Sequence, residues 1–206
     1  MTECKTNTKM RKQILRAARE EFIVNGFRDA SLRTIARESG ISVSNIYNHF
    51  EHKDSLFRAV LEPLLLSFDA MLEDHNSEEN MDMYVHEIDR YRDTTVASLS
   101  ELVRQYRMEL KLLLFRSAGS SLEHFNQELV DRQCRVGEEY LSRIKQRYPT
   151  FSRDVSPLFI RMLSTWWIVL LSEIVSNEHL GIEELERGLS EYLLFSTAGW
   201  KALMEY

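Results

Sequence analysis

The sequence predicts an all-α protein, a three-helix head followed by a larger helical bundle. Two observations carry this. Only 7 Gly and 3 Pro punctuate 206 residues, too few turn-formers for a many-stranded fold. Apolar residues recur at spacings of three and four, and no stretch alternates with period two.

The first helix is expected over residues 9–25, where Ile14, Leu15, Ala17, Ala18, Phe22 and Ile23 make an amphipathic pattern. Asn25-Gly26 stops it, because glycine takes the left-handed C-cap conformation cheaply. Phe27 then reads as a core plug. Ser31 is an N-cap for a second helix over 32–39, with Leu32, Ile35 and Ala36 inward. Gly40 ends it. A third, very short helix spans 43–49, with Val43, Ile46 and Phe50 inward.

A fourth helix starts near Lys53 and runs to about Asp74, with Pro63 expected to kink it. HNSEEN at 75–80 reads as a linker. Five further helical patterns follow, at about 81–95, 98–117, 120–148, 153–177 and 182–205. Ser98-x-x-Glu101 and Ser120-x-x-Glu123 read as capping boxes.

The formal net charge is −6, but it is unevenly distributed. Residues 1–60 carry 11 Lys and Arg against 7 Asp and Glu, whereas the rest carry 15 against 25. A basic N-terminal third on an acidic body implies one part that meets a polyanion and another that does not. Cys4 and Cys134 are too far apart in sequence to suggest a disulfide framework and suit a reducing cytoplasm. The N-terminus lacks an apolar signal region. The run WWIVLL at 166–171 is too short to span a bilayer, so no membrane partner is expected.

The helices at 32–39 and 43–49, joined by a Gly-containing turn, read as a helix-turn-helix, whose second helix enters a DNA major groove. The side chains this second helix does not spend on the core include Ser42, Ser44, Asn45, Asn48 and His49. All form hydrogen bonds and none is acidic, which suits base edges and phosphates. No Arg or Lys stands between Ile41 and His52, so bidentate guanine reading would fall to Arg33 or Arg37. His49 and His52 have no third ligand at metal spacing, so no metal and no cofactor is expected. No spacing of titratable groups supplies an active site, and an enzyme is not expected.

The pattern Leu32-x-x-Ile35-Ala36-x-x-x-Gly40-Ile41-Ser42-x-x-x-Ile46-Tyr47-x-His49-Phe50-x-x-Lys53-x-x-Leu56 resembles the DNA-binding domain of TetR-family transcriptional regulators. That resemblance implies a head at residues 1–52 and an effector-binding and dimerisation body at 53–206. It implies a homodimer on a double-stranded, palindromic DNA operator, with the body's last two helices forming a four-helix interface.

Carried over by position, Tyr47, His49 and Lys53 are similar to phosphate-gripping residues, while Arg33, Ser42, Ser44, Asn45 and Asn48 fall where base or phosphate contacts are made. His52 replaces a small capping residue usual in the family, which implies a looser cap. LLLFRSAGSSLEHF at 112–125 resembles a recurring helix-loop-helix passage. Gly199-Trp200 resembles a common ending, with Gly allowing close helix approach.

In the body, Tyr84, Tyr91, Tyr106, Phe115, Met162 and Trp166 are candidates to line a pocket for an unknown apolar or amphipathic effector. Core packing is the default for such aromatic and Met stripes. Because neighbouring helical residues point about 100° apart, Trp166 and Trp167 cannot face the same way. Trp167, Leu170, Ile174, Leu189 and Leu193 are candidates for the dimer interface. The resulting expectation is a ligand-responsive repressor. An all-α enzyme or carrier with an incidental hairpin, and a non-specific architectural DNA protein, are the alternatives.

Overall fold

The computed structural model describes residues 2–150 and 154–204, with side chains from residue 7 onward. The side chain of Cys4, and the expected helix ends at Arg153 and Glu205, lie outside the described residues. Among those described, nine α-helices and no strand are found: α1 (Thr2–Asp29), α2 (Leu32–Ser39), α3 (Val43–Tyr47), α4 (Lys53–His75), α5 (Glu78–His86), α6 (Ile88–Phe115), α7 (Phe125–Arg147), α8 (Pro157–Ser176) and α9 (Ile182–Met204). The all-α expectation holds.

The chain forms two compact units. The first comprises everything to Leu66 together with Met108–Phe125, and the second Ser67–Arg107 with Asn126–Tyr206. In the first unit, α1 begins seven residues before the expected start. Its regular helix breaks at Gly26 (φ 71°, ψ 176°), in the left-handed region that favours glycine. A Cβ there would also meet the Cβ and carbonyl of Arg116 at 3.3 Å.

The core of this unit is an aromatic triad. Phe22 and Phe27 each approach Phe57 with ring centroids 5.0 Å apart. Ile14, Ala18, Ile35, Ile46 and Leu56 are buried in the same unit.

The C-terminal turns of α6 complete this unit. Buried Glu109 pairs with Arg19 of α1. The Phe27 N–H donates to the Arg116 carbonyl (2.9 Å), and the Arg116 guanidinium donates to the carbonyls of Ile23 and Val24. These last bonds satisfy carbonyls that a helix end leaves without partners. Beyond α6, the Ser121 N–H donates to Asp54 (2.7 Å). The passage at 112–125 is thus the end of α6 and a loop braced on the head helices.

The second unit departs from several expected boundaries. The pattern at 81–95 is split, because α5 ends at His86 and the C-cap Glu87 leaves helical geometry (φ −135°, ψ 53°). Ser98 lies inside α6 and caps nothing; the helix runs through it with one non-helical residue, Tyr106 (φ −127°, ψ 22°). Ser120 opens a turn rather than a helix, its Oγ donating to the Ser117 carbonyl, and α7 begins at Phe125. Pro63 sits inside α4, which continues on both sides of it.

Arg107 donates to the carbonyls of Ile174, Asn177 and Leu180. It thereby caps the C-terminus of α8 with a positive charge, the sign the helix dipole favours there.

Candidate functional site

The head presents its polar edge through two well-capped helices. Ser31 Oγ accepts from the Thr34 N–H at the start of α2, and Gly40 closes that helix at φ 71°. Ser42 Oγ accepts from the Asn45 N–H (3.2 Å), opening α3. Ile46 anchors α3 in the core, and Phe50 follows it inward. Ser44, Tyr47 and Asn48 are therefore exposed, and His49 and Asn45 are half-buried.

The expected contact residues differ in how free they are. Asn48 donates to the Asn45 carbonyl oxygen of the side chain (3.3 Å), and Asn45 in turn donates to the Met10 sulfur. The two amides thus hold each other and are locked to α1, which orients rather than frees them. Lys53 is not extended outward: its ammonium donates to the Arg28 carbonyl (3.1 Å) and lies over the Phe27 ring. Partial burial pulls its pKa below the usual lysine value, against the pull of Asp29 and Glu21. Arg37 is paired with Glu38, whereas Arg33 is exposed with no partner among the described residues. Arg11, over the Phe50 ring, and exposed Lys9 and Lys12 extend the basic edge along α1.

His52 turns out to be a full N-cap for α4. Its Nδ1 accepts from the Ser55 N–H (3.0 Å), while its own N–H donates to Ser55 Oγ (3.1 Å). This is a reciprocal capping box with an imidazole in the place of a hydroxyl.

The second unit holds a partly open cavity of about 180 Å³. Of the expected pocket residues, Tyr84 and Tyr91 line it. Tyr106 does not; its hydroxyl accepts from Ser67. Phe115 closes α6 in the first unit and is half exposed. Met162 and Trp166 are exposed too, and the cavity is lined by Trp167 instead. The helical step of about 100° explains the difference. α8 is apolar on more than one side, so composition alone leaves open which tryptophan turns inward.

Leu193, expected at the dimer face, also lines the cavity, and Ile174 and Leu189 are buried within the chain. Leu170 is half-buried. The exposed apolar stripe is Leu158, Met162, Trp166 and Val169 on α8, with Leu194 and Phe195 on α9.

Sequence reasoning missed most of the cavity wall. Gln133, Gly137, Tyr140, Leu141 and Ile144 all line it from α7. Their spacing of four, three, one and three is a single helical stripe, a signal that was present but unused. His75 closes α4 against the cavity, and Trp200 joins from α9. Burial holds the His75 imidazole below its ordinary pKa despite Asp74. Burial also pushes the Tyr91 and Tyr140 phenols well above the usual tyrosine range. The wall is therefore neutral. A Cβ at Gly199 would meet nothing within 4 Å, so the expected close helix approach is not made there within the chain.

An all-helical chain whose capped α2 and α3 present a polar edge above a buried core defines a helix-turn-helix protein. Residues 14–60 match the model of the bacterial regulatory proteins of the tetR family. The regulator UidR of Escherichia coli K12 is 43% identical over 51 residues, which are 25% of this chain and 26% of UidR. The match thus spans about a quarter of that relative's length.

Over the whole chain the likeness is one of fold. NalD of Pseudomonas aeruginosa, described as the secondary repressor of the MexAB-OprM multidrug efflux pump, superposes with a TM-score of 0.63 at 23% identity. That superposition covers 93% of this chain and 95% of NalD. FadR of Bacillus subtilis, solved with stearoyl-CoA, gives a TM-score of 0.60 at 16% identity, covering 88% and 96%.

Proposed function

We propose that this protein is a cytoplasmic DNA-binding transcriptional regulator without catalytic activity. It acts as a homodimer that represses from a palindromic operator and responds to a small effector. DNA reading is assigned to residues 1–52, and effector binding and dimerisation to 53–206. The observation that carries the reading is the exposed edge of the head. Ser44, Tyr47 and Asn48 stand on a helix locked to the core by Ile46, beside the unpaired Arg33. With no Arg or Lys on α3, the operator is read through Asn, Ser and duplex shape, while Arg33 and the α1 cations meet phosphates.

Dimerisation is supported by α8. By length and composition it is apolar enough to cross a membrane, yet only 28% of its apolar window is buried within the chain. A stripe formed by Leu158, Met162, Trp166 and Val169, continued by Leu194 and Phe195 on α9, needs a cover. A second copy offering the same stripe is self-complementary, as a two-fold interface requires.

Selection of bound duplexes from a random pool at near-physiological salt is the test. The expected result is an inverted repeat whose affinity falls steeply with salt. Equal affinity for all duplexes, or none for any, overturns the reading.

A further inference from the structure

The chemistry of the cavity wall narrows what the effector can be. No Lys, Arg, Asp or Glu lines the larger cavity. A buried carboxylate or phosphate would lose its hydration with no countercharge, a cost of several kcal/mol that leaves little affinity. The stearoyl-CoA of the FadR structure, with its phosphates, is therefore no guide to this chain. An organic cation would gain cation–π attraction from the rings but finds no carboxylate on the wall to offset its lost hydration. Asp74, which lines an adjoining cavity of about 40 Å³, already accepts from Asn80.

Aromatic rings stand edge to face along the wall. Tyr84 meets Tyr91 at 5.4 Å, His75 meets Trp167 at 6.3 Å, and Trp167 meets Tyr192 at 6.2 Å. A flat aromatic guest continues such a series, since ring edges and faces attract through their quadrupoles.

Several polar side chains on the wall are already engaged: His75 Nε2 lies 3.5 Å from the Tyr91 hydroxyl, and Ser196 Oγ donates to the Leu193 carbonyl (3.3 Å). Asn76, Ser164 and Thr197 spend their side chains on the carbonyls of Leu72, Ile160 and Leu193. Gln133 is different. It lines both cavities, and its carboxamide makes no hydrogen bond among the described residues. A neutral amide that can both donate and accept, left unspent inside an aromatic wall, is complementary to a neutral hydroxyl or carbonyl. A cavity of about 150 Å³ holds one benzene. The present one, slightly larger and partly open, suits one or two fused rings.

We propose that the cavity takes an uncharged aromatic molecule of one or two rings carrying a hydroxyl or carbonyl group, with the rings held by Tyr84, Tyr91, Trp167 and Tyr192 and the polar group by Gln133. The inference rests on the reading of the body as an effector-binding part, and it names the effector's class.

The test is calorimetric titration of the full chain, without DNA, with three probes of one shape: 2-naphthol, 2-naphthoate and 2-naphthyltrimethylammonium. Naphthalene serves as the apolar reference. Naphthol is expected to bind at least tenfold tighter than either ion, and several-fold tighter than naphthalene. Gln133→Leu removes the preference over naphthalene, and Ser196→Phe, which fills the cavity, weakens both neutral probes by tenfold or more. Thermal melts establish that each variant is folded. If one fails to fold, Gln133→Glu replaces it and must weaken naphthol and naphthoate alike.

Equal or tighter binding of either ion overturns the proposal, as does binding of none of the three. An unchanged naphthol preference in Gln133→Leu overturns the role of Gln133. None of these outcomes touches the operator selection, so the two readings fail separately.

Discussion

Replacing Arg19 with alanine should cost far more stability than replacing Glu109, although the two form one ion pair. The side chain of Glu109 is 9% exposed and that of Arg19 is 43% exposed. The Glu109 Oε2 has no hydrogen-bond partner, so Arg19 is what compensates the carboxylate. Removing Arg19 strands a buried charge, which costs about 3–5 kcal/mol. The lower end, about 3, applies because half-exposed Arg19 leaves a path for water.

Removing Glu109 instead releases a guanidinium that water can solvate. The cost is then near that of an exposed pair plus lost packing, about 1 kcal/mol. At this chain length 1 kcal/mol moves the melting temperature by about 2–4 °C. Arg19→Ala should therefore lower it by about 6–12 °C and Glu109→Ala by about 2–4 °C. The double variant Arg19→Met with Glu109→Met should lie close to the parent, because burying two thioether side chains needs no countercharge. Thermal melts and urea titrations at one fixed protein concentration decide it. Equal losses in the two single variants, or a double variant worse than Arg19→Ala, would refute the asymmetry.

Three further outcomes are expected. Arg33→Ala should weaken binding to all duplexes alike and reduce the slope of log affinity against log salt by about 0.9. Asn48→Ala should instead relax the preference at one operator position, worth about 1–3 kcal/mol, as read by competition binding. Trp166→Glu should place a charge in the exposed stripe and leave a monomer by sedimentation, while Val24→Glu, more exposed still but in the head, leaves the assembly unchanged.

For His75 the sign follows from its lowered pKa. The unfolded chain takes up a proton below the ordinary value of 6.5, and the folded protein refuses it until lower pH. Its contribution is therefore present above about pH 6.5 and lost as pH falls below it, by up to about 1.4 kcal/mol per unit. His75→Phe should flatten the fall of the urea midpoint between pH 7 and 5; an unchanged slope would remove His75 as its source.

The head was legible because its signals are local. Ser31, Gly40 and Ser42 each mark a helix end by a side-chain or backbone preference that acts within four residues. The body was legible as helical but not in its details. The break at Glu87 has no Gly or Pro to announce it, and Ser98-x-x-Glu101 has the sequence of a cap in the middle of a helix. In both places tertiary packing outweighs the local preference.

The two tryptophans of α8 could not be assigned because a helix apolar on more than one side offers more than one face for burial. The pairing of Asn45 with Asn48 and Met10, and the engagement of Lys53 by Phe27 and Arg28, depend on contacts between elements. Spacing alone does not encode those. Gln133 was legible in principle, as one position of the α7 stripe, but nothing local separates a cavity-facing amide from a solvated one.

The head's dependence on residues 108–125 bears on inheritance as much as on folding. Its first 66 residues obtain Glu109, the Arg116 carbonyl and the Ser121 N–H from a part of the gene that lies beyond α5. A single crossover between two such genes just after residue 66 would join one parent's α1–α3 to the other parent's end of α6. Arg19 would then meet whatever that parent carries in place of Glu109. Exchange of DNA specificity between relatives therefore requires two segments to travel together, or compensating changes at Arg19, Gly26 and Asp54. The head cannot be shuffled as a cassette, and chimaeras built from this chain should carry both pieces.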